Sequence, residues 1–153
     1  MNKVKYNLEY QSLEKRRNLD SVDKVHFRNK IELTPPNQLM SEIDVNLELG
    51  NYFVLDLYGK DRIRHLTFNF INIPPTIMRF EILIGRPERR IQFIWEKPEN
   101  LDYEVNFPWE YTPPRMDYGD DWNDISQVIS FTKITVNNEK IFIAISSEWF
   151  KIK

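Results

Sequence analysis

The sequence predicts an all-β protein, an antiparallel β-sandwich or flattened barrel of roughly ten strands in which residues 1–153 form a single domain. Three observations support this fold class. The chain has ten phenylalanines and seven tyrosines but one alanine, Ala144, and aromatic side chains favour strands whereas alanine favours helices. Apolar residues recur at every second position, which is the period of a strand with one buried face. All nine prolines lie between the predicted strands, where no ladder N–H is lost.

The alternation is clearest in residues 41–49, where Ile43, Val45 and Leu47 share one face and polar side chains occupy the other. The same period predicts nine further strands, at residues 4–10, 25–33, 52–58, 62–70, 77–84, 90–96, 103–107, 128–136 and 140–145. Short strands with short connections favour antiparallel neighbours in a sandwich or barrel.

Turn-forming residues separate these strands. Gly50-Asn51 predicts a two-residue hairpin between its flanking strands. Gly59-Lys60-Asp61 predicts the next turn. Asn137-Asn138 predicts a hairpin before the last strand, because asparagine tolerates the left-handed backbone conformation. The two candidate helices are short, at residues 12–19 and 146–150.

Several classes of protein are excluded by what the sequence lacks. There is no cysteine, so neither disulfides nor thiolate-bound metals stabilise the fold. No apolar leader opens the chain, and no apolar run approaches the ~18 residues that span a bilayer, which predicts a cytoplasmic protein without membrane contact. No internal repeat is evident. The net charge of −2 and the absence of a basic stripe with stacking aromatics argue against nucleic-acid binding.

The sequence has no recognisable catalytic motif. Its four glycines do not have the spacing of a phosphate-binding or dinucleotide-binding loop, and neither a nucleophile elbow nor a zinc-binding helix motif is present. We therefore predict a protein that is not an enzyme, with no catalytic residues, no metal and no cofactor.

One histidine lies at a predicted irregularity. The apolar alternation shifts between Ile63 and Leu66, as it would if Arg64 and His65 formed a β-bulge. Because bulges can redirect side chains into sites, His65 is a secondary candidate for a functional role, whereas His26 lies on the polar face of its strand.

The strongest functional candidate is the acidic-aromatic segment, residues 108–124, with the sequence PWEYTPPRMDYGDDWND. From Trp109 to Asp124 five acids stand against one arginine, giving −4 in a chain whose total is −2. Holding two carboxylates ~4 Å apart costs on the order of 1 kcal/mol even in water. The predicted partner-binding residues are its aromatic and acidic members: Trp109, Glu110, Tyr111, Asp117, Tyr118, Asp120, Asp121, Trp122 and Asp124.

Four interpretations of this segment are open. Tryptophan and tyrosine concentrate binding energy, and carboxylates beside them would complement a basic protein. The aromatics could instead stack on sugar rings, and the carboxylates could bind calcium, although the spacing differs from an EF-hand. Alternatively, Trp109 and Trp122 anchor a crossover between strands. A second charged turn, residues 85–90, contains three arginines and is either solvated, an anion site or a partner of the acidic segment.

In its general profile the chain resembles bacterial immunity proteins and phage-encoded inhibitors of host defence: small, cysteine-free, without a catalytic motif and with a localised acidic-aromatic surface. The resemblance involves no particular stretch of sequence. It implies stoichiometric inhibition of a basic partner, a toxin or nuclease, through the acidic-aromatic segment. The alternative is a carbohydrate- or calcium-binding β-sandwich module.

Overall fold

The structure is a computed structural model that describes residues 30–76, 78–87, 91–97, 99, 102–113 and 125–151. Within these residues every regular element is a strand, which confirms the all-β prediction. The ten strands are β1 (Ile31–Leu33), β2 (Met40–Asn46), β3 (Tyr52–Asp56), β4 (His65–Ile71), β5 (Met78–Gly85), β6 (Gln92–Ile94), β7 (Glu104–Asn106), β8 (Ile125–Val136), β9 (Glu139–Ser146) and β10 (Phe150–Lys151).

The strands form two open sheets. The larger sheet has seven strands in the order β1-β3-β5-β8-β9-β7, with β10 pairing to the start of β8. Its first three strands are mutually parallel, β8 and β9 continue it antiparallel, and β7 pairs parallel with β9. The smaller sheet contains β2, β4 and β6, all parallel.

From β1 to β6 the chain passes alternately through the two sheets, and each of the strands β1 to β4 pairs with the strand two further along. Ile31 aligns with Phe53, and Phe53 aligns with Ile82. The chain therefore returns to the larger sheet after 22 and then 29 residues. The predicted antiparallel arrangement is therefore wrong for the pairings among these six strands, although β5 also pairs antiparallel with β8.

The predicted hairpin at Gly50-Asn51 is also wrong, because β2 and β3 belong to different sheets. The N–H of Leu47 donates to the carbonyl of Ile71 at 3.0 Å, and Leu47 is buried. The chain thus stays beside β4 beyond the end of β2. The glycine turn then carries it across to the other sheet.

The hairpin at Asn137-Asn138 is confirmed. It joins the antiparallel strands β8 and β9, and both asparagines have the left-handed backbone, with φ of 52° and 67°. The predicted helix at residues 146–150 is wrong, because Phe150 already belongs to β10 and pairs with Ser126.

The two sheets share an aromatic core. The ring of Phe70, on β4, lies 5.0–5.3 Å from the rings of four aromatic residues, namely Phe80, Tyr103, Phe131 and Phe142. Three of these contacts are edge-to-face and one is stacked, which are the favoured aromatic geometries. Phe80 and Phe131 belong to the larger sheet, so this cluster fixes one sheet against the other.

All the described strands lie in the compact unit Ile31–Lys153. The strand predicted at residues 4–10, the helix predicted at 12–19 and the first part of the strand predicted at 25–33 lie outside the described residues. In the part of the chain that is described, no helix is long and apolar enough to cross a membrane.

We expect Phe70→Ala to lower the free energy of unfolding by about 3–5 kcal/mol, because it removes a buried ring and leaves a cavity. Phe150→Ala is the matched control, since Phe150 is 40% exposed, and should cost about 1 kcal/mol or less. Urea denaturation followed by tryptophan fluorescence measures both values. Equal losses would contradict the aromatic core described above.

Candidate functional site

The structure describes the first part of the acidic-aromatic segment, residues 108–113. Three predicted site residues, Trp109, Glu110 and Tyr111, belong to it. The other six lie outside the described residues: Asp117, Tyr118, Asp120, Asp121, Trp122 and Asp124. Their roles remain predictions from the sequence.

The described part is held to the sheet by Gln127, a fully buried residue on the inner face of β8. Its Oε1 accepts a hydrogen bond from the Tyr111 hydroxyl at 3.0 Å. Its Nε2 donates to the carbonyls of Thr112 and Ser147, at 3.1 and 2.9 Å. One amide therefore ties the segment to β8 and also to the chain that follows β9.

Trp149 adds a second attachment at the same carbonyl. Its indole Nε1 donates to the carbonyl of Thr112 at 3.0 Å, and the residue is 8% exposed. Because Thr112 accepts two hydrogen bonds from different elements, its backbone position is fixed relative to both strand β8 and the C-terminal residues.

Aromatic packing fixes the segment on its other side. The ring of Tyr111 lies 5.2 Å from that of Phe107 and 5.9 Å from that of Trp95. Phe107 and Tyr111 are both half-buried and pack against the core. The backbone between them is consequently attached at both ends.

Trp109 lies between these attachment points and is 68% exposed. Glu110 is exposed beside it. The suggestion that Trp109 anchors the crossover is therefore wrong: Phe107, Tyr111 and Trp149 hold this stretch, and Trp109 faces solvent. An exposed indole on a fixed backbone is the arrangement expected of a binding anchor.

Tyr111 is half-buried as a residue, but its hydroxyl contacts the buried amide of Gln127. Burial raises the pKa of Tyr111 well above that of a free tyrosine, because the phenolate would lose its hydration. The neutral hydroxyl is the form that can donate to Gln127. Tyr111 thus attaches the acidic-aromatic segment to β8 through this hydrogen bond.

Where the sequence predicted a bulge inside a strand, Arg64 precedes the first residue of β4, His65, and the two residues share one hydrogen-bond acceptor. The backbone N–H groups of both residues donate to the same carbonyl, that of Leu39, at 3.0 and 3.1 Å. Ile63 and Leu66 on either side are fully buried, so the extra residue accounts for the shift in apolar alternation.

A cleft of about 340 Å³ opens at this irregularity. Among the described residues it is lined by Arg64, His65, Ile91, Gln92 and Pro113. We refer to it as the Arg64 cleft. His65 thus lies at a concave surface, as the sequence indicated it could, whereas His26 lies outside the described residues.

The arginine-rich turn at residues 85–90 is described only in part. Arg86 forms a bidentate pair with the carboxylate of Asp56 and lies 4.7 Å from the ring centroid of Tyr58. Partial burial alone would raise the pKa of Asp56, but the hydrogen bonds from Arg86 and from the Tyr58 N–H lower it overall. The anion that Arg86 contacts is therefore supplied by the protein.

A buried amine lies elsewhere in the core. Lys133, on β8, is 1% exposed and its Nζ donates to the carbonyl of Pro74. Burial lowers the pKa of Lys133, and Lys140 adds to the effect by repulsion. A lysine with a lowered pKa can act as a nucleophile, but Lys133 is 1% exposed and its amine is hydrogen-bonded to the backbone.

Acidic side chains do not form a metal site within the described residues, where no group of three or more histidine, aspartate or glutamate side chains is close enough to hold an ion. The carboxylates on which the calcium interpretation rests, at positions 117–124, lie outside that part of the chain. Comparison with protein-family models, with curated proteins and with solved structures finds no match for this chain.

Sequence reasoning missed Gln127 and Arg64 as organising residues. Gln127 lies at an inward position of β8, between the buried Ile125 and Ile129. A polar residue in phase with the apolar face of a strand is a signal, because buried polar groups need partners. Arg64 was predicted only as part of the bulge, because Ile91, Gln92 and Pro113, its neighbours in the cleft, are distant from it in sequence.

Trp95 and Trp149 form a natural comparison for the hydrogen bond at Thr112. They are 9% and 8% exposed, but among the described residues the buried Nε1 of Trp95 has no hydrogen-bond partner. Replacement by phenylalanine removes similar volume at both sites. We expect Trp149→Phe to destabilise the protein by about 0.5–1.5 kcal/mol more than Trp95→Phe, because only the former loses a hydrogen bond. Urea denaturation checks the difference, and the opposite order would contradict the proposed role of Trp149.

We expect Tyr111→Phe to change how stability depends on alkaline pH. The pKa of Tyr111 is raised by folding, so the unfolded chain loses this proton first, near pH ~10. The contribution of Tyr111 to the free energy of unfolding is fully present below that pH. It falls as the pH rises, by at most about 1.4 kcal/mol per pH unit. In Tyr111→Phe the unfolding free energy should fall less steeply above pH ~10. Parallel curves for the two proteins would contradict the burial of the hydroxyl.

Proposed function

We propose that this protein is a non-enzymatic protein-binding module that acts as a stoichiometric inhibitor of a basic partner, a toxin or nuclease, in the manner of immunity proteins and phage anti-defence proteins. The observation that carries the proposal is Trp109. Its indole is exposed to solvent on a backbone that Tyr111, Thr112 and Phe107 attach to the core.

The fixed backbone matters because ordering a flexible segment opposes binding. Each rotamer-rich side chain that becomes immobilised costs about 0.5–1.5 kcal/mol. The stretch that carries Trp109 is already attached by two hydrogen bonds to the carbonyl of Thr112 and one from the Tyr111 hydroxyl. A partner that covers the indole therefore gains apolar burial with little ordering cost to the backbone.

The charge of the segment supports a basic partner. Glu110 is exposed next to Trp109, and the sequence continues with four aspartates and one arginine up to residue 124. An aromatic anchor beside carboxylates suits a surface that presents lysine and arginine, because opposite charges accelerate encounter and disfavour acidic competitors.

The test is a pull-down from the source cells with three baits: the intact protein, Trp109→Ala and Leu49→Ala. Leu49 is the matched control because it is 62% exposed, close to the 68% of Trp109. A basic protein retained by the intact bait and by Leu49→Ala, but lost by Trp109→Ala, is the expected result. Calorimetry with that purified protein should give 1:1 stoichiometry and a loss of about 30-fold or more in affinity for Trp109→Ala.

Three outcomes would contradict the proposal. Equal retention by all three baits would place the interface elsewhere, and retention of an acidic partner would reverse the electrostatic argument. A rise in melting temperature with calcium or a sugar, but with no protein captured, would favour the carbohydrate- or calcium-binding alternative, because a ligand specific to the folded state stabilises it by mass action.

A further inference from the structure

The Arg64 cleft combines cationic and apolar groups in a way that regular strands cannot. Successive side chains of a strand point to opposite faces, yet Arg64 and the following residue His65 line one cleft. Arg64 precedes the first residue of β4, and its N–H shares the Leu39 carbonyl with that of His65, so its side chain does not follow the alternation of the strand.

The guanidinium of Arg64 is oriented by the backbone. Its Nη1 donates to the carbonyls of Asp61 and Ile63, at 2.9 and 3.2 Å. A guanidinium has five N–H groups, so its Nε and Nη2 retain three further donors, for which the described residues provide no partner. These donors lie in a planar fork that matches a carboxylate.

The neighbouring strand completes the polar part of the cleft. Gln92, the first residue of β6, pairs in register with His65, and its exposed side-chain amide can donate a hydrogen bond. None of the described lining residues is acidic. Anionic ligands would therefore meet an arginine, an imidazole and an amide without a competing carboxylate among them.

The remaining lining is apolar. Ile91 is buried with 1% exposed, and Pro113 is half-buried. At about 340 Å³ the cleft is at the small end of the range for ligand sites. Its size and lining suit a compact molecule with one charged end and an apolar body.

We propose that the Arg64 cleft binds a small organic carboxylate, with Arg64 and His65 contacting the carboxylate and Pro113, beside the buried Ile91, contacting the apolar body. This site is separate in its chemistry from the proposed recognition of a basic protein. Benzoate is the probe that represents this class.

The two histidines allow a direct test by proton NMR, because the chain has only His26 and His65. At fixed pH and ionic strength, benzoate should shift the ring protons of His65 in a saturable manner, with a dissociation constant of about millimolar. The ring protons of His26 serve as the internal reference. Benzamide lacks the charge and acetate lacks the apolar body, so each should bind at least about tenfold more weakly than benzoate.

Variants distinguish binding in the cleft from non-specific electrostatic attraction of benzoate to the protein. Arg64→Gln should weaken benzoate binding by about tenfold or more, because hydrogen bonds to charged groups are the strongest of their kind. Arg64→Lys keeps the charge but loses the fork, and should give an intermediate loss. Arg62→Gln is the matched control, since Arg62 is an exposed arginine two residues away that is not among the lining residues, and should bind as the wild type does.

The wild-type titration alone can overturn the proposal, so it does not depend on whether Arg64→Gln folds. No saturable shift at His65, equal shifts at both histidines or equal binding of benzamide would overturn it. Inorganic phosphate that binds as tightly as benzoate would also overturn it, by showing a site for bare anions. Loss of protein-partner binding by Trp109→Ala leaves these outcomes unaffected, so the two proposals fail independently.

Discussion

The side-chain amide of Gln127 is the interaction on which the candidate recognition surface depends. It is fully buried and connects the adjacent residues Tyr111 and Thr112 to Ser147, all of them distant from Gln127 in sequence. A buried amide without partners would cost about 1–3 kcal/mol for each unpaired group, so this position favours one arrangement of the chain. The backbone that carries Trp109 is fixed as a result, because Tyr111 and Thr112 lie two and three residues beyond it.

The winding of the chain through two sheets has a comparable effect on the Arg64 cleft. His65 and Gln92 are 27 positions apart, but they begin neighbouring parallel strands and lie in register. Parallel strands place their starting residues at the same edge of a sheet. The irregularity at Arg64 then adds a guanidinium to that edge. The cleft is thus a product of topology, of one irregularity and of the loop residue Pro113.

The positions of the strands could be predicted from the sequence, but which strands pair could not. Alternation such as that of Ile43, Val45 and Leu47 can be recognised within one strand, because it depends only on which face of that strand is buried. Whether β2 pairs with β3 or β4 depends on contacts such as that of Leu47 with Ile71, which no short-range pattern encodes. Asn137-Asn138 was predictable because its backbone requirement is local. The irregularity at Arg64 and His65 was predictable for the same reason, from the two buried residues that flank it.

The surface around Trp109 and the Arg64 cleft meet at the backbone of Thr112 and Pro113. A substitution that moves this backbone therefore affects both. Thr112 is held by Gln127 and Trp149, and the next residue, Pro113, forms a wall of the Arg64 cleft. Proline has a fixed φ and no N–H, so its ring position is determined largely by the residue before it. The amide of Gln127 consequently positions an apolar wall of the cleft as well as the support beneath Trp109. A substitution at Gln127 should therefore disturb both surfaces, whereas substitutions at Trp109 or Arg64 act on one surface each.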